Sequence, residues 1–348
     1  MWMKFILLLV LILLPLKVDA ISASSYIIMD MDNNRILQGS NIHGEHLTAS
    51  IAKIMTAIVV INNIDINKEI TIGEEVLKSH GSGIYISVGE KITIENLLYG
   101  LMLRSGNDAA IALAYAVGGS MEGFVYLMNE IALNIGMKNT NFVNSHGLEE
   151  NDGLGNISTA FDMALLSSYA HQNEIYRRIS GTTEITVTTN LKTYVWHNKN
   201  RLLNSYEFCN GGKTGFTTLA RRTLVTTASK DNVNLTVVTF KGGNDFGDHR
   251  SLYVKYFNQL QNHHLVKSGS IATRYPNSYI LEDFKMSLTK EEKAKIDISI
   301  EYLDNNATNI IGWIVVRLEN EEYFRGKIYL REQETRPSFW QRIRKWFS

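Results

Sequence analysis

Three short segments of this chain carry side chains that could do chemistry together. In Ser50-Ile51-Ala52-Lys53 a hydroxyl and an amine stand at i and i+3, which on a helix is one face. Thr48 is the expected N-cap, which puts Ser50 in the first turn, where its N–H has no intrahelical partner. One residue then offers both a nucleophilic hydroxyl and an oxyanion donor at the positive end of a helix. Ser105-Gly106-Asn107 falls at an expected break between two helices. Its hydroxyl can relay a proton, and its amide can donate to and accept from a peptide. Lys213-Thr214-Gly215, preceded by Gly211-Gly212, offers a cation and a hydroxyl to a carboxylate. Gly215 has no side chain, so a substrate backbone can come close. Taken singly, each segment has a plainer reading: a chance pairing, a loop cap, a glycine turn beside a surface lysine.

The elements that must position these groups can be read from periodicity. Residues 25–37 read as two strands around Asp32-Asn33-Asn34. The stretch 49–62 is apolar nearly all round, as a buried helix would be. Residues 94–103, 109–117, 121–135 and 159–171 are also helical, the last with Ser158 or Thr159 as cap, while 141–156 is loop-like. Beyond residue 182 the period shortens. Residues 183–189, 223–228 and 234–240 alternate and are rich in Val and Thr, so they read as strands, followed by a helix over 250–262. Strands at both ends with helices between imply one sheet with a helical part inserted. From about residue 268, short strands at 279–280, 296–302, 311–318 and 326–330 suggest a small all-β module.

Composition sets the outer limits. The 348 residues are 45% hydrophobic and 20% charged, which is ordinary for a folded protein. Lys and Arg total 35, as do Asp and Glu, so no general basic field invites nucleic acid. Cys209 is the single cysteine, which excludes an intramolecular disulfide. The nine histidines show no H-E-x-x-H spacing, and they read as scattered surface residues rather than a zinc carboxypeptidase site. No metal or other cofactor is expected. Residues 1–20 read as a signal peptide: Lys4, an apolar run from Phe5 to Leu14, and Val18-Asp19-Ala20 before cleavage. The alternative is an uncleaved anchor. At the other end Phe339, Trp340, Ile343, Trp346 and Phe347 cover an arc of about 120° of a helix. Arg342, Arg344 and Lys345 fill the rest, as in a helix lying in a membrane interface.

S-x-x-K, then S-x-N, then K-T-G, in that order, resembles the serine penicillin-recognising enzymes. The flanking residues match as well: Thr48 to Thr56, Leu103 to Ala110, Gly211 to Thr217, and His146-Gly147-Leu148 followed by Ser158-Thr159-Ala160. The chain is similar to the low-molecular-mass penicillin-binding proteins, the D-alanyl-D-alanine carboxypeptidases of peptidase family S11. The run from Ala220 to Ser229 resembles their sporulation-associated branch. That resemblance implies an α+β fold: a β-lactamase/transpeptidase-like domain over 21–265, a small β domain over 266–335, and an amphipathic membrane-anchoring helix over 336–348. It implies Ser50 as nucleophile, Lys53 as base and Ser105 as proton relay. Asn107, Lys213, Thr214, Gly215 and Phe216 would bind substrate, the N–H groups of Ser50 and Phe216 forming an oxyanion hole. The substrate would be a peptidoglycan stem peptide ending in D-Ala-D-Ala, with β-lactams as inhibitors. Family members often carry an arginine in the strand after the third motif; here Val233 is the expected match, and Lys199 would compensate.

Two related functions share parts of the pattern. A class A β-lactamase needs a glutamate in an E-x-x-L-N spacing, which Glu150 does not satisfy. A non-catalytic wall-binding relative would have little reason to keep all three motifs. Ending the chain at Arg336 is expected to move the protein from the membrane to the soluble fraction on cell fractionation. Retention would point to the N-terminal segment as the anchor.

Overall fold

A computed structural model describes residues 21–149, 153–303 and 309–331. The expected signal segment, the amphipathic tail and Glu150 lie outside these residues. The central sheet holds five antiparallel strands: β1 (Ser25–Asp30), β2 (Arg35–Ser40), β3 (Cys209–Thr217), β4 (Arg221–Lys230) and β5 (Val233–Phe240). Their spatial order is β2-β1-β5-β4-β3, so β1, early in the sequence, pairs with β5, some two hundred residues later. The sequence reading of one sheet with a helical insertion therefore holds. The turn between β1 and β2 places Asn34 at φ 56°, a left-handed conformation that asparagine tolerates.

Both faces of the sheet are covered. Ile27 and Met29 of β1 join Val225, Val238 and the helical region in one core, and Ile28 between them faces the other way with Leu235 and Val237. The helical region comprises α1 (Lys53–Asn63), α2 (Ile94–Tyr99), α3 (Asn107–Gly118), α4 (Met121–Asn134), α5 (Ala160–His171) and α6 (Glu174–Gly181). Thr159 caps α5 through the N–H of Asp162, as its position suggested, and Ser120 caps α4. The α1 segment is buried on nearly every side, as its composition required. Its start differs from expectation: Ala49–Ala52 form a 3-10 turn and the α-helix begins at Lys53. Ala49 sits at φ 48°, which no regular helix allows, and Thr48 makes no side-chain cap.

On the opposite face lies α7 (Asp245–Phe257), five residues ahead of the expected start. Asp245 and Asp248 in its first turn complement the helix dipole, a signal outweighed in the sequence by Gly247. His249 of α7 is fully buried, with Thr226 on Nδ1 at 2.7 Å and Thr239 on Nε2 at 3.0 Å. It corrects the reading of the histidines as surface residues. Burial holds its pKa down at about 3, so the ring is neutral.

The C-terminal part is all β. β6 (Gln261–Val266) crosses the expected division at 265/266. It pairs with β9 (Phe284–Leu288), while β7 (Gly269–Ser270), β8 (Ser278–Ile280), β10 (Ile296–Tyr302), β11 (Ile310–Leu318) and β12 (Glu321–Leu330) form a second sheet. The two parts meet at a polar cluster. Arg35 of β2, buried, pairs with Glu292 at 2.6 Å and donates to the carbonyl of Ser287 in β9. Beside it Asp30 is fully buried, and burial lifts its carboxyl from 3.8 to about 6. A native carboxyl that holds its proton more tightly than the unfolded one favours folding below pH 4. That advantage is lost as the pH rises through 6. Asp30→Asn is therefore expected to raise unfolding stability at pH 8 by up to about 2–3 kcal/mol and to leave it unchanged at pH 4, as thermal melts at the two pH values would read.

Candidate functional site

The three motifs converge. Lys53, at the first position of α1, is fully buried, and its Nζ lies 3.1 Å from Ser50 Oγ. The same amine donates to Asn107 Oδ1 at 2.7 Å and to the main-chain oxygen of His146. Three elements thus share one nitrogen, which has three donors when charged and one lone pair when neutral. Burial pushes the Lys53 pKa well below the usual lysine value. The charges of Lys213 and Lys199 push it the same way, and Asp108 opposes them. A neutral amine beside a serine hydroxyl can accept its proton.

Lys213 is almost fully buried under β3, with its Nζ donating to the carbonyl of Thr214 at 2.7 Å. Burial, with Lys199 as a second cause, brings its pKa down to about 7. Gly215 meets the Ser50 turn directly. A Cβ there would stand 2.4 Å from Thr223 Oγ1 and 2.9 Å from the Ser50 nitrogen. Gly147, at φ +87°, passes equally close on the other side, where a Cβ would lie 2.0 Å from the Ala49 carbonyl oxygen. These two close approaches explain the 3-10 turn: Ser50 is gripped between backbones that no side chain could separate.

The second motif is held by its loop. Gly100–Arg104 widen into a π-turn, and Ser105 closes it at φ 64°. Such a conformation in a non-glycine residue costs about 1–3 kcal/mol and marks sites under constraint. Asn107 N–H donates to Ser82 O at 2.8 Å, and Asn107 Nδ2 to His80 O at 2.6 Å. Asp108 then gathers the N–H groups of Ile84 (3.0 Å), Tyr85 (2.6 Å) and Ile86 (3.3 Å). Asn107-Asp108 thereby fix the wall from His80 to Ile86, a role the sequence signalled only through an acid in the first turn of α3.

A cleft of about 440 Å³ opens above this core. Its lining includes Ser50, Ser105, Lys199, Thr214, Gly215 and Phe216, all named above from the sequence. It also includes Ser82, Arg201, Arg222 and Phe246, which sequence reasoning missed because they come from four separate elements. Lys199 reaches Ser82 Oγ at 3.4 Å. Three residues named from the sequence lie outside this lining. Asn107, read as a substrate ligand, is buried, its Oδ1 accepting from Lys53 and its Nδ2 donating to the His80 carbonyl. Lys213 lies beneath the lining rather than in it. Val233, read as the arginine-equivalent position, belongs to the core packed against α7. Among the described residues no cluster of three or more His, Cys, Asp or Glu could hold a metal. Cys209 is buried at the start of β3, and burial pushes its thiol up to about 11, out of reactive range. His146 contributes its carbonyl, while burial and the Lys53 charge hold its ring pKa at about 3.

Residues 15–244 match the model of peptidase family S11, D-alanyl-D-alanine carboxypeptidase. The chain belongs to that family. It is 34% identical over 224 residues to D-alanyl-D-alanine carboxypeptidase DacF of Bacillus subtilis, covering 63% of this chain and 57% of that relative. It is 36% identical over 204 residues to the D-alanyl-D-alanine carboxypeptidase of Streptomyces sp. strain K15, covering 53% of this chain and 68% of the relative. The chain thus matches little more than half the length of DacF. Its fold is similar to that of penicillin binding protein 5 from Haemophilus influenzae, with a TM-score of 0.77 at 24% identity over 90% of this chain and 97% of the other. The similarity runs through the C-terminal β part as well as the catalytic sheet. Gly215→Ala is expected to fold but to lose about 1–3 kcal/mol of stability by crowding Thr223 and Ser50. Its labelling by a fluorescent penicillin should fall with it, and unchanged labelling would show that the Ser50 turn can yield.

Proposed function

We propose that this chain is a serine-type D-Ala-D-Ala carboxypeptidase that removes the terminal D-alanine from peptidoglycan stem pentapeptides and is acylated by β-lactams. One observation carries the reading: a buried amine with a strongly depressed pKa stands 3.1 Å from a serine hydroxyl that faces an open cleft. A serine nucleophile needs an adjacent base, and a neutral amine beside the hydroxyl supplies one.

The steps follow from the groups present. Ser50 Oγ attacks the carbonyl of the penultimate D-alanine while its proton passes to Lys53 Nζ. The oxygen that becomes negative is met by the N–H groups of Ser50 and Phe216, a donor pair of which each member contributes about 3–4 kcal/mol in comparable hydrolases. Ser105 passes a proton to the departing D-alanine. Asn107 holds Lys53 in line, and the second hydrogen of its amide can serve the peptide. Thr214 and the Lys213 charge receive the terminal carboxylate, and an anion there draws the Lys213 pKa back up. β3 is the edge strand of its sheet, so the substrate backbone can pair along it. Water then releases the shortened peptide from the acyl-enzyme. Export by residues 1–20 and interfacial attachment through residues 338–348 would set this chemistry at the outer face of the cytoplasmic membrane. Among the described residues no single helix is long and apolar enough to cross a membrane.

Ser50→Ala is expected to abolish both covalent labelling by fluorescent penicillin and release of D-alanine from a pentapeptide. Lys53→Ala should acylate at least 100-fold more slowly while keeping its circular dichroism. Because the base must be neutral, the acylation rate should fall as the pH drops through the depressed Lys53 pKa. Labelling of Ser50→Ala would reassign the nucleophile.

A further inference from the structure

The C-terminal β part carries a surface that the reaction does not use. Ile280 of β8, Ile314 of β11 and Ile328 of β12 face the apolar core of that part. Their neighbours Tyr279, Trp313 and Tyr329 therefore point outward, and all three are part-exposed. Tyr279 pairs with Tyr329 across the ladder, and their rings stack with centroids 5.5 Å apart. Trp313 pairs with Lys327, two residues before Tyr329 on the same face. The indole is thus a diagonal neighbour of the tyrosine pair, about 7–8 Å away between backbones. Three rings run in a row across the outer face of the second sheet.

The charges on this face fall into two groups. Beside the row, Arg325 donates to Glu301 and Glu322, each at 2.7 Å, and Arg317 donates to Glu301 at 2.5 Å. Two cations and two anions close on themselves there. Lys327 and Arg331 are exposed and have no ion pair among the described residues. Each lies against a ring instead: the Lys327 amine is 5.9 Å from the Trp313 ring, and the Arg331 guanidinium is 5.2 Å from that of Tyr279. The indole N–H of Trp313 and the two phenol hydroxyls also lack hydrogen-bond partners among the described residues. What the row leaves open is therefore mostly donors, two of them charged. Ile298, the exposed aliphatic residue of β10, pairs with Val316 and faces the other way. Rings and donors, rather than protruding aliphatic chains, make up this surface. It complements a polymer whose rings have apolar C–H faces and whose substituents are acceptors and anions.

We propose that this row binds the glycan strand of peptidoglycan, an N-acetylated polysaccharide that carries carboxylates. Trp313, Tyr279 and Tyr329 take the sugar rings, and Lys327 and Arg331 take the carboxylates. The choice of polymer rests on the carboxypeptidase reading above, in which the same strand carries the substrate. A second hold on the strand raises the concentration of stem peptides around the enzyme, so wall-borne stems gain in rate and free peptides do not.

The test uses the full-length protein. The binding probe is peptidoglycan glycan stripped of its peptides, so that each lactyl group ends in a carboxylate and the cleft has no stem to hold. Titration calorimetry should show binding by the wild type that weakens as salt is raised. Lys327→Glu should weaken it about 10-fold, and Trp313→Ala at least as much. Release of D-alanine from diacetyl-Lys-D-Ala-D-Ala should be the same in wild type and Lys327→Glu, while release from intact peptidoglycan should fall several-fold in the variant. Wild-type protein that ignores stripped glycan would overturn the proposal, as would variants that bind it equally well. Equal losses on the free and the wall-borne peptide would make the row a folding element. Variants that keep glycan but no longer bind phosphatidylglycerol vesicles would make it a lipid surface instead. Glycan binding that depends on Lys327 and Trp313, without D-alanine release from either substrate, would remove the carboxypeptidase reading and leave the glycan surface standing.

Discussion

Everything in the site depends on one buried nitrogen. Lys53 is taken wholly out of water and set among the Ser50 hydroxyl, the Asn107 amide oxygen and the His146 carbonyl. An ammonium in that position would lack the solvation it enjoys at the surface, and Lys213 adds repulsion. Both effects favour the neutral amine, which is the form that can act as base. The three oxygens around it also fix its direction. The same contacts that make the amine reactive tie α1, α3 and the loop at His146 together, so stability and reactivity draw on one set of bonds.

That arrangement dictates the local backbone. To bring Ser50 over Lys53 the chain gives up a regular helix start, places Ala49 in the left-handed region and packs glycines on both sides. To bring Ser105 into the cleft it opens a π-turn and strains a second residue. These costs are local and are offset by two continuous cores on either face of the sheet. β1 and β5 join the ends of this part of the chain in one sheet, so a displacement at the third motif would have to deform paired strands.

Much of this was legible in the residues. The buried character of α1 follows from its unbroken apolar sequence, the cap at Thr159 from residue type, and the motif cluster from spacing combined with family resemblance. What stayed hidden shares a physical cause. The 3-10 turn at Ala49 depends on Gly147 and Gly215, which lie far away in the chain. The burial of Asn107 depends on a carbonyl at His80. The start of α7 at Asp245 was masked by Gly247, and the place of Arg222 in the cleft wall depends on a cross-strand pairing with Phe216. Local patterns give element type, but contacts set by strand register and loop closure belong to the assembled molecule. The division between the catalytic and β parts was placed inside what proves to be one continuous strand, β6, because composition changes gradually there.

The rim of β3 has a consequence for how the molecule behaves in company. An unpaired strand border invites any extended chain, including another copy of itself. Here the lower half is shielded: Gly181 at the end of α6 packs so tightly on Asn210 that a methyl group would overlap its carbonyl, and Ser180 lies against Gly211. Only the stretch from about Lys213 to Thr217 stays available, a few residues long and interrupted by glycine. A ladder that brief can hold a short peptide for the time a reaction takes, yet it offers too few bonds to recruit a neighbouring sheet. That brevity is itself a guard against templated self-association.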